Sequence, residues 1–370
     1  MRDGTHNSPK YQREGYPLVT SKNLVTNGID LSEVSFISKY DYQEINKRSK
    51  VETGDILFGM IGTIGNPVMV KKGGFAIKNV ALIKHGGEVS NGFLLYLLKS
   101  STFLQYIRKE NAGGTQKFLG LSVIRSFKFK VPDKVEQGKI ASIFNILNRL
   151  ITLQQRKLEL LKEIKKGLLQ KMFADKSKFP ILRFEGFHAE WEQRKLYEVA
   201  DYRNGKAHEQ HIYIHGNYIV VNSKFVSTSG EAKKYSDKLI EPLMKNEIAF
   251  VLSDVPNGKA LARTFLVKRS QKYTLNQRVA GITPHPNMNS YFLFILMNRN
   301  PYFLKFDDGV GQTNLSKKDV EQFNENYPTK REQQKIGEIF VKLDSLLTLQ
   351  HQRLSKLNEI KKSLLQQMFI

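Results

Sequence analysis

The stretch Glu136-Gln137-Gly138-Lys139-Ile140 recurs as Glu332-Gln333-Gln334-Lys335-Ile336, and the two copies are 196 residues apart (332 minus 136). Carried forward without a gap, this offset aligns residues 136–173 with 332–369, and 22 of the 38 aligned pairs are identical. Chance does not produce such a match. The chain of 370 residues is therefore organised as two repeated units of about 200 residues each.

Each repeated segment predicts one long helix. It contains no proline, is rich in Leu, Lys, Glu and Gln, and begins a few residues after Pro132 or Pro328. Its apolar residues recur in steps of three, four or seven positions, which is typical of a coiled-coil seam. The stripe consists of Leu147, Ile151, Leu158, Leu161, Leu168 and Met172 in the first copy, and of Leu343, Leu347, Leu354, Leu357, Leu364 and Met368 in the second. We expect the two helices to pack on each other as an antiparallel coiled coil.

One polar residue interrupts each stripe near its centre: Gln154 in the first helix and Gln350 in the second. In a fully overlapped antiparallel pair, central positions meet their own equivalents near a pseudo-two-fold axis. The two amides can then bond each other only in that register. The alternative is that both amides lie at the edge of the seam and bond solvent.

The segments outside the helices have short apolar runs broken by Gly, Asn, Pro and Asp, and predict mainly β-structure with one helical stretch each, Phe93–Tyr106 and Tyr291–Phe306. The two segments look like diverged copies of one α/β domain. The predicted fold class is α+β, with two similar α/β domains separated by the two long helices. The predicted limits are 1–132 for the first domain, 133–178 for the first helix, 179–328 for the second domain and 329–370 for the second helix.

The fronts of the two units differ in length. Arg203-Asn204-Gly205 corresponds loosely to Arg2-Asp3-Gly4, but the second unit begins about two dozen residues earlier, near Phe179. We therefore expect either that the sequence is truncated at its front or that its start lies downstream of the natural one.

Composition narrows the functional classes. The 58 Lys and Arg against 35 Asp and Glu leave a net charge of +23, which favours a polyanionic partner, nucleic acid before membrane. The absence of cysteine excludes disulfides, thiolate catalysis and cysteine-ligated zinc. No signal-peptide pattern and no apolar run of membrane-spanning length is present, so a cytoplasmic location without membrane contact is expected.

The order of these parts resembles the specificity subunit of Type I restriction–modification systems. The resemblance rests on the Pro-x-x-x-Glu-Gln-x-Lys-Ile helix ending in Leu-Leu-Gln-x-Met-Phe, and on the linker with Leu182-Arg183-Phe184 and Trp191-Glu192-Gln193-Arg194-Lys195-Leu196. Gly113-Gly114-Thr115-Gln116 looks like target-recognition-domain sequence. The resemblance implies a non-catalytic DNA reader in which each domain recognises one half of a bipartite site.

The same resemblance implies the partners. Two methyltransferase subunits and, for cleavage, two translocating restriction subunits would assemble on the chain, whose helices set the spacing between half-sites. S-adenosylmethionine, ATP and Mg²⁺ are then expected in the partner subunits and no cofactor in this chain. The alternatives are a stand-alone DNA-modifying methyltransferase and a coiled-coil RNA-binding adaptor.

Motifs for catalysis and metal binding are weak. Asn300-Pro301-Tyr302-Phe303 has only one proline and is better interpreted as a helix start than as a methyltransferase loop. Gly59, Gly62 and Gly65 predict turns between strands. His208, His211 and His215 have metal-like spacing, but residues 211–215 alternate polar and apolar and predict an exposed strand. We expect no metal site.

Candidate DNA contacts are polar and basic residues that follow apolar runs at comparable places in the two domains. Arg and Asn or Gln suit guanine and adenine, and Lys suits phosphate. Simple solvated loop polarity is the alternative for any one of them. The candidates are Lys22, Asn23, Lys78, Asn79, Gln116 and Lys117 in the first domain, and Asn222, Ser223, Lys224, Asn276, Gln277, Arg278, Gln312, Thr313 and Asn314 in the second.

Overall fold

The computed structural model describes residues 1–26, 28–110, 118–174 and 178–369. The chain forms two compact units: unit 1 comprises Met1–Lys157 and Gln350–Ile370, and unit 2 comprises Leu158–Leu349. Both long helices therefore contribute one part to each unit. These helices are α5 (Lys134–Met172) and α10 (Lys330–Gln367). They lie within the ranges that the repeat predicts.

Unit 1 contains two four-stranded sheets. Its strands are β1 (Arg2–Asp3), β2 (Tyr11–Gln12), β3 (Tyr16–Val19), β4 (Leu24–Val25), β5 (Gly28–Ile29), β6 (Ser35–Ile37), β7 (Ile56–Gly59), β8 (Gly65–Met69), β9 (Ala76–Ile77) and β10 (Val80–Ile83). Its shorter helices are α1 (Lys39–Ser49), α2 (Asn91–Leu97), α3 (Ser101–Glu110) and α4 (Leu121–Ser126). One sheet has the order β1-β10-β7-β8 and is antiparallel. The other has the order β2-β6-β3-β9, with β3 and β9 parallel.

Unit 2 repeats this plan. Its strands are β11 (Glu192–Lys195), β12 (Ala200–Asn204), β13 (Tyr218–Val221), β14 (Tyr235–Ser236), β15 (Ile248–Val251), β16 (Ser253–Asp254), β17 (Thr264–Leu266), β18 (Tyr273–Leu275), β19 (Val279–Pro284), β20 (Thr313–Asn314) and β21 (Asn324–Tyr327). Its shorter helices are α6 (Ser223–Ser227), α7 (Ser290–Met297), α8 (Pro301–Leu304) and α9 (Lys317–Glu321). The antiparallel sheet β12-β19-β15-β17 matches β1-β10-β7-β8, and the parallel pair β13 and β18 matches β3 and β9. Mixed helices and sheets in two similar units confirm the coarse fold prediction.

Aromatic contacts join the start of one long helix to the end of the other within each unit. In unit 1 the ring of Phe369 lies 5.3 Å from Phe93 and 6.0 Å from Phe144. In unit 2 the ring of Phe173 lies 5.2 Å from Phe292 and 6.0 Å from Phe340. All members of the predicted apolar stripe are buried or half-buried. The helix segments in each unit are therefore antiparallel.

Each predicted helical stretch is broken in two. In place of Phe93–Tyr106 there are α2 and α3, because the Ser100 hydroxyl accepts a bond from Phe103 N at 3.3 Å and starts a new helix. In place of Tyr291–Phe306 there are α7 and α8, because Arg299 has a φ of 55° and Asn300 caps Tyr302 N at 2.9 Å. Pro301 opens α8, so the interpretation of Asn300-Pro301 as a helix start is confirmed.

The strand predicted over residues 211–215 is wrong. His211 ends a short 3₁₀ turn (Glu209–His211), and in this stretch only Ile212 forms a bridge, with Ser236. Residues 214 and 215 form a turn. Alternation over five residues was too short a pattern, because the turn chemistry of Gly216 and Asn217 follows directly.

Candidate nucleic-acid interface

In unit 1 the candidate residues follow two neighbouring parallel strands. Lys22 and Asn23 come after β3, and Lys78 and Asn79 come after β9. Because parallel strands end at the same edge of a sheet, these residues are brought together. The Ser21 hydroxyl donates to the Asn79 carbonyl at 3.2 Å. Lys22, Asn23 and Asn79 line one cleft, together with the turn Ile61-Gly62-Thr63 between β7 and β8.

Unit 2 has the same arrangement. Asn222, Ser223 and Lys224 follow β13, and Asn276, Gln277 and Arg278 follow its parallel neighbour β18. The main-chain N–H of Asn276 donates to the Val221 carbonyl at 3.1 Å, and this bond joins the two loops. The parallel pairing joins residues more than 50 positions apart. It explains why the candidates after the first strand of each pair and those after the second strand form one site in each unit.

One glycine in each unit allows the backbone to pass close to this edge. A Cβ at Gly4 would lie 2.2 Å from the Ile77 carbonyl oxygen, and a Cβ at Gly205 would lie 2.1 Å from the Asn276 carbonyl oxygen. No side chain fits at either place. The loose correspondence of Gly4 and Gly205 seen in the sequence is therefore a structural equivalence.

In unit 2 the remaining candidates, residues 312–314, lie beside residues 276–278. Gln312 Nε2 donates to Ser253 Oγ at 2.7 Å, and β20 pairs with β16. The Leu252 amide donates to the Arg278 carbonyl at 3.1 Å, so Arg278 and Gln312 flank the same short segment. Gln116 and Lys117, their counterparts in unit 1, lie outside the described residues; Phe118, which follows them, bridges to Ile61.

We define the loop edge of unit 1 as residues 20–23, 61–63 and 78–79, and the loop edge of unit 2 as residues 222–224, 253–254, 276–278 and 312–314. The candidates exposed on these edges are Lys22, Lys224, Gln277, Arg278, Gln312 and Asn314. Lys78, Asn79, Asn222, Ser223 and Asn276 are half-buried.

Two candidates are buried and have structural roles. The Asn23 carboxamide oxygen accepts from Thr20 N at 2.9 Å, and its Nδ2 donates to the Asp30 carbonyl at 3.1 Å. Thr313 is 7% exposed, and its hydroxyl lies 3.3 Å from Asp307 Oδ1. Both side chains form hydrogen bonds inside their own domain, so we no longer regard them as candidates for base contact.

Sequence reasoning missed the hairpin loops of the loop edges. The prediction of turn glycines is confirmed for Gly62, which lies between β7 and β8 with a φ of 73°, whereas Gly59 ends β7 and Gly65, with a φ of 102°, begins β8. The neighbouring Ile61 and Thr63 were not named as candidates. In unit 2, Val255 and Val310 are 63% and 85% exposed. Their loops meet where Asn257 Nδ2 donates to the Gly309 carbonyl at 3.4 Å. A small polar loop directly after a buried central strand was the available signal.

The three histidines do not converge. His208 is 1% exposed, with Nδ1 at 2.7 Å from the Lys206 carbonyl and Nε2 at 2.7 Å from the Thr274 hydroxyl. Burial lowers the pKa of His208, which favours the neutral ring. His211 lies 3.3 Å from Asp237 instead.

Among the described residues, one group has the spacing of metal ligands: Glu52, Asp55 and His85. Lys84 Nζ lies 2.8 Å from Glu52 and 2.7 Å from Asp55, so an ammonium group already faces both carboxylates. Burial opposes ionisation of Asp55, but hydrogen bonds from Lys84 and His85 hold its pKa below the ordinary value. This cluster is an ion-pair network at the start of β7.

The glutamine of each Glu-Gln repeat joins a long helix to its domain. Gln137 Oε1 accepts from Ser90 N at 2.8 Å, and its Nε2 donates to the Pro132 carbonyl at 2.9 Å. Gln333 makes the same pair of bonds, with Asn289 N at 2.8 Å and the Pro328 carbonyl at 2.8 Å. Both glutamines are 2% exposed. The motif that revealed the repeat is thus a buried joint between helix and domain.

The central glutamines meet. Gln350 Nε2 donates to Gln154 Oε1, and it lies 3.3 Å from the Gln154 carbonyl oxygen. Gln350 is 2% exposed, whereas Gln154 is half-buried. The pair is therefore partly enclosed, and the two amides satisfy each other.

The family model described as Type I restriction modification DNA specificity domain matches residues 5–163 and again 188–359. The MjaX protein of Methanocaldococcus jannaschii, named as a type I restriction enzyme specificity subunit, is 20% identical over 99% of this chain and 89% of its own length.

Solved structures share the fold. The S subunit of a Type I restriction–modification system from M. genitalium has a TM-score of 0.65 at 17% identity, over 100% of this chain and 93% of its own. A chain from a study of assembly and conformational transition of the type I R-M system has a TM-score of 0.59 at 14% identity, over 98% and 92%. No helix among the described residues combines the length and apolar character needed to cross a membrane.

Proposed function

The chain belongs to the family of Type I restriction modification DNA specificity domains, and on this premise we propose that its two loop edges each read one half of a bipartite DNA site. The observation that carries the proposal is the repeated juxtaposition of polar loops after the parallel pairs β3 and β9, and β13 and β18. The family match also occurs twice along the chain, once in each half.

Residue chemistry supports duplex DNA as the ligand. Arg278 can bond guanine, Gln277, Gln312 and Asn314 can bond adenine, and Lys22 and Lys224 can meet phosphate. The net charge of +23 adds long-range attraction to a polyanion. A stand-alone methyltransferase is disfavoured, because Asn300-Pro301 caps α8 instead of forming a catalytic loop. A coiled-coil RNA adaptor would be indicated only by preference for single-stranded RNA over duplex DNA.

The long helices are proposed to form the antiparallel coiled coil that sets the gap between half-sites. The Gln154–Gln350 hydrogen bond and the antiparallel aromatic contacts in each unit support it. In this proposal the chain is non-catalytic and cytoplasmic. Two methyltransferase subunits and two restriction subunits bind it and bring S-adenosylmethionine, ATP and Mg²⁺.

Domain exchange tests the reading function. Residues 179–328 are replaced by the equivalent domain of a relative, and methylated sites are mapped in a genome expressing the matching methyltransferase subunits. We expect one half-site to change and the other to stay, because bases are read at the loop edges. A simultaneous change of both half-sites would contradict the proposal.

A substitution with a matched control tests the loop edge of unit 2. Arg278→Ala should reduce discrimination at one base pair by about 1–3 kcal/mol. Arg269→Ala, which removes another exposed arginine outside the loop edge, should leave the preferred sequence unchanged. Binding is measured against a panel of single-base variants at constant salt. Equal effects of the two substitutions would show that Arg278 contributes only charge.

Insertion of whole helical turns tests the spacing role. Inserting residues into α5 should alter the tolerated gap between half-sites while each half-site keeps its sequence. A gap that never moves with helix length would contradict the role.

The affinity for duplex DNA should also decrease by a factor of about 10³–10⁵ between 50 and 200 mM salt, if about 6–10 phosphates are contacted.

A further inference from the structure

Two equivalent bridges between chain segments lie at the loop edges and differ in their chemistry. In unit 1, Ile61 bridges antiparallel to Phe118, and in unit 2, Ser253 pairs antiparallel with Asn314. The offset of 196 that relates the long helices also places Asn314 at the position of Phe118. Unit 1 therefore has two large apolar residues where unit 2 has two polar ones.

A main-chain bond beside each bridge supports the equivalence. In each unit, the residue after one partner of the bridge donates to the carbonyl of the residue before the other partner. The Leu119 N–H donates to the Met60 carbonyl at 2.9 Å, and the Leu315 N–H donates to the Leu252 carbonyl at 2.8 Å. All four side chains are buried, so both bridges lie directly outside the core of their domain.

The side chains of Ile61 and Phe118 share one face, which is turned to solvent. Neighbouring residues of an extended segment point to opposite faces, and directly opposed residues of an antiparallel pair point to the same face. Met60 and Leu119 are each 1% exposed, whereas Ile61 and Phe118 are 38% and 46% exposed. Single exposed apolar residues are ordinary, but here two of them form a cross-strand pair beside polar candidates.

Ile61 is held in place beside polar groups of the loop edge. It lines the same cleft as Lys22 and Asn79. A Cβ at Gly59 would lie 2.3 Å from the Thr63 carbonyl oxygen, so the turn that contains Ile61 folds closely onto the end of β7. A side chain on such a tight turn loses little conformational freedom when it meets a ligand.

One group of duplex DNA matches an apolar pair at this place. Base edges in the major groove present hydrogen-bond donors and acceptors, and the 5-methyl group of thymine is the apolar group among them. A polar base edge against Ile61 and Phe118 would lose hydrogen bonds to water without gaining a partner. In unit 2 the equivalent place is polar, since Asn314 is exposed and Ser253 Oγ accepts from Gln312 at 2.7 Å.

We propose that Ile61 and Phe118 contact the 5-methyl group of a thymine in the half-site that unit 1 reads. The inference rests on the proposed function and adds to it the kind of base that is recognised at this place. The two side chains act by removing the methyl group from water, whereas the equivalent place in unit 2 recognises a polar base edge.

A deoxyuridine scan tests the contact, because dU lacks only the 5-methyl group of dT. The half-site of unit 1 is the one that stays unchanged when residues 179–328 are exchanged. Each thymine of this half-site is replaced in turn by dU. Duplex binding by the complete chain with its matching methyltransferase subunits is measured by fluorescence anisotropy at constant salt. We expect one or two positions at which dU weakens binding about fourfold, the loss expected for one methyl group.

A double variant assigns the effect to the apolar pair. Ile61→Ser with Phe118→Asn gives unit 1 the pair found in unit 2, so dT and dU should be bound equally at those positions. Ile61→Ala alone should reduce the preference for dT, which keeps the test decisive if the double variant fails to fold. Val135→Ser, which removes an exposed apolar residue at the start of α5, should keep the full preference.

The possible outcomes separate this inference from the proposed function. A unit 1 half-site without thymine, a scan without a sensitive position, or a preference for dT that persists unchanged in the variants of Ile61 and Phe118 would overturn the inference alone. Failure of the wild-type chain to prefer its mapped site over other duplexes would overturn the proposed function, and this inference with it.

Discussion

Units 1 and 2 share a plan of sheets and helix ends, but they differ in how the start of the long helix is covered. In unit 2 Glu332 is buried and pairs with Arg183, whereas in unit 1 the equivalent Glu136 is exposed. The buried joint of Gln137 or Gln333 is the same in both. The comparison shows that a repeated motif keeps its main-chain joint even where the surrounding contacts differ.

The largest expected difference between the units concerns the paired glutamates. Glu332→Ala should lower the free energy of unfolding by about 3 kcal/mol, because it leaves Arg183 largely buried without its partner. Glu136→Ala should change it by less than about 0.5 kcal/mol. Urea unfolding followed by circular dichroism measures both, and fluorescence of Trp191, the lone tryptophan, reports unit 2 separately. Equal losses would show that Glu136 is also paired in solution.

The glutamine joints should behave alike. Gln137→Leu and Gln333→Leu should each lower the free energy of unfolding by about 2 kcal/mol, because each leaves a buried main-chain amide and carbonyl without a partner. The measurement is urea unfolding of both variants under one condition. A loss of stability in only one of the two variants would show that the two joints contribute unequally to stability although their geometry is the same.

Lysines that are paired with a carboxylate in unit 2 and unpaired in unit 1 should give a smaller, pH-dependent difference in stability between the units. In unit 2, Lys165 Nζ lies 2.5 Å from Asp344 Oδ1. The offset places Lys361 at the position of Lys165 and Asn148 at that of Asp344, so unit 1 lacks the carboxylate. Burial, with a contribution from the charge of Lys361, lowers the pKa of Lys99 in unit 1 to about 8.

A lysine that is harder to protonate in the folded chain opposes folding while it is protonated in the unfolded chain. The destabilising effect of Lys99 should therefore become smaller between pH about 8 and 10.5, its ordinary pKa, and the free energy of unfolding should rise over that range. Lys99→Met should stabilise more at pH 8 than at pH 10.5, in urea titrations at both values. Lys165→Met should instead destabilise at pH 8. A pH-independent effect of Lys99→Met would contradict the burial argument.

The smallest expected effect on stability concerns the central amides. Gln154→Leu combined with Gln350→Leu should keep or raise the free energy of unfolding, because two apolar side chains replace a self-satisfied polar pair. The register of the helices should loosen, which would broaden the tolerated gap between half-sites. The double variant is compared with wild type in urea unfolding and in methylation mapping. A sharp, unchanged gap would remove the register role.

The repeat and the helices could be predicted because their signals are long. A pattern sustained over 38 residues averages out local exceptions, and the helices begin and end within the predicted ranges. The short pattern at residues 211–215 failed, and so did the unbroken helix predicted over Tyr291–Phe306. There a single residue, Arg299 with a φ of 55°, ends one helix before Asn300 starts the next.

The candidate interface was predictable only in part. Loops after apolar runs were identified by residue type, but the pairing of β3 with β9 joins distant residues and has no local signal. Asn23 shows the same limit at the level of one side chain. Its residue type suits base contact, yet its amide caps a turn and bonds the Asp30 carbonyl. Burial is a property of the assembled domain and could not be read from residue type.

The joints of Gln137 and Gln333 have a consequence for evolution by recombination. Each glutamine bonds only main-chain atoms of its domain: an amide nitrogen at Ser90 or Asn289 and a proline carbonyl. Main-chain groups are present whatever side chains a gene encodes there. A domain acquired from another strain can therefore fit the same joint without compensating mutations, provided that its backbone follows the same path.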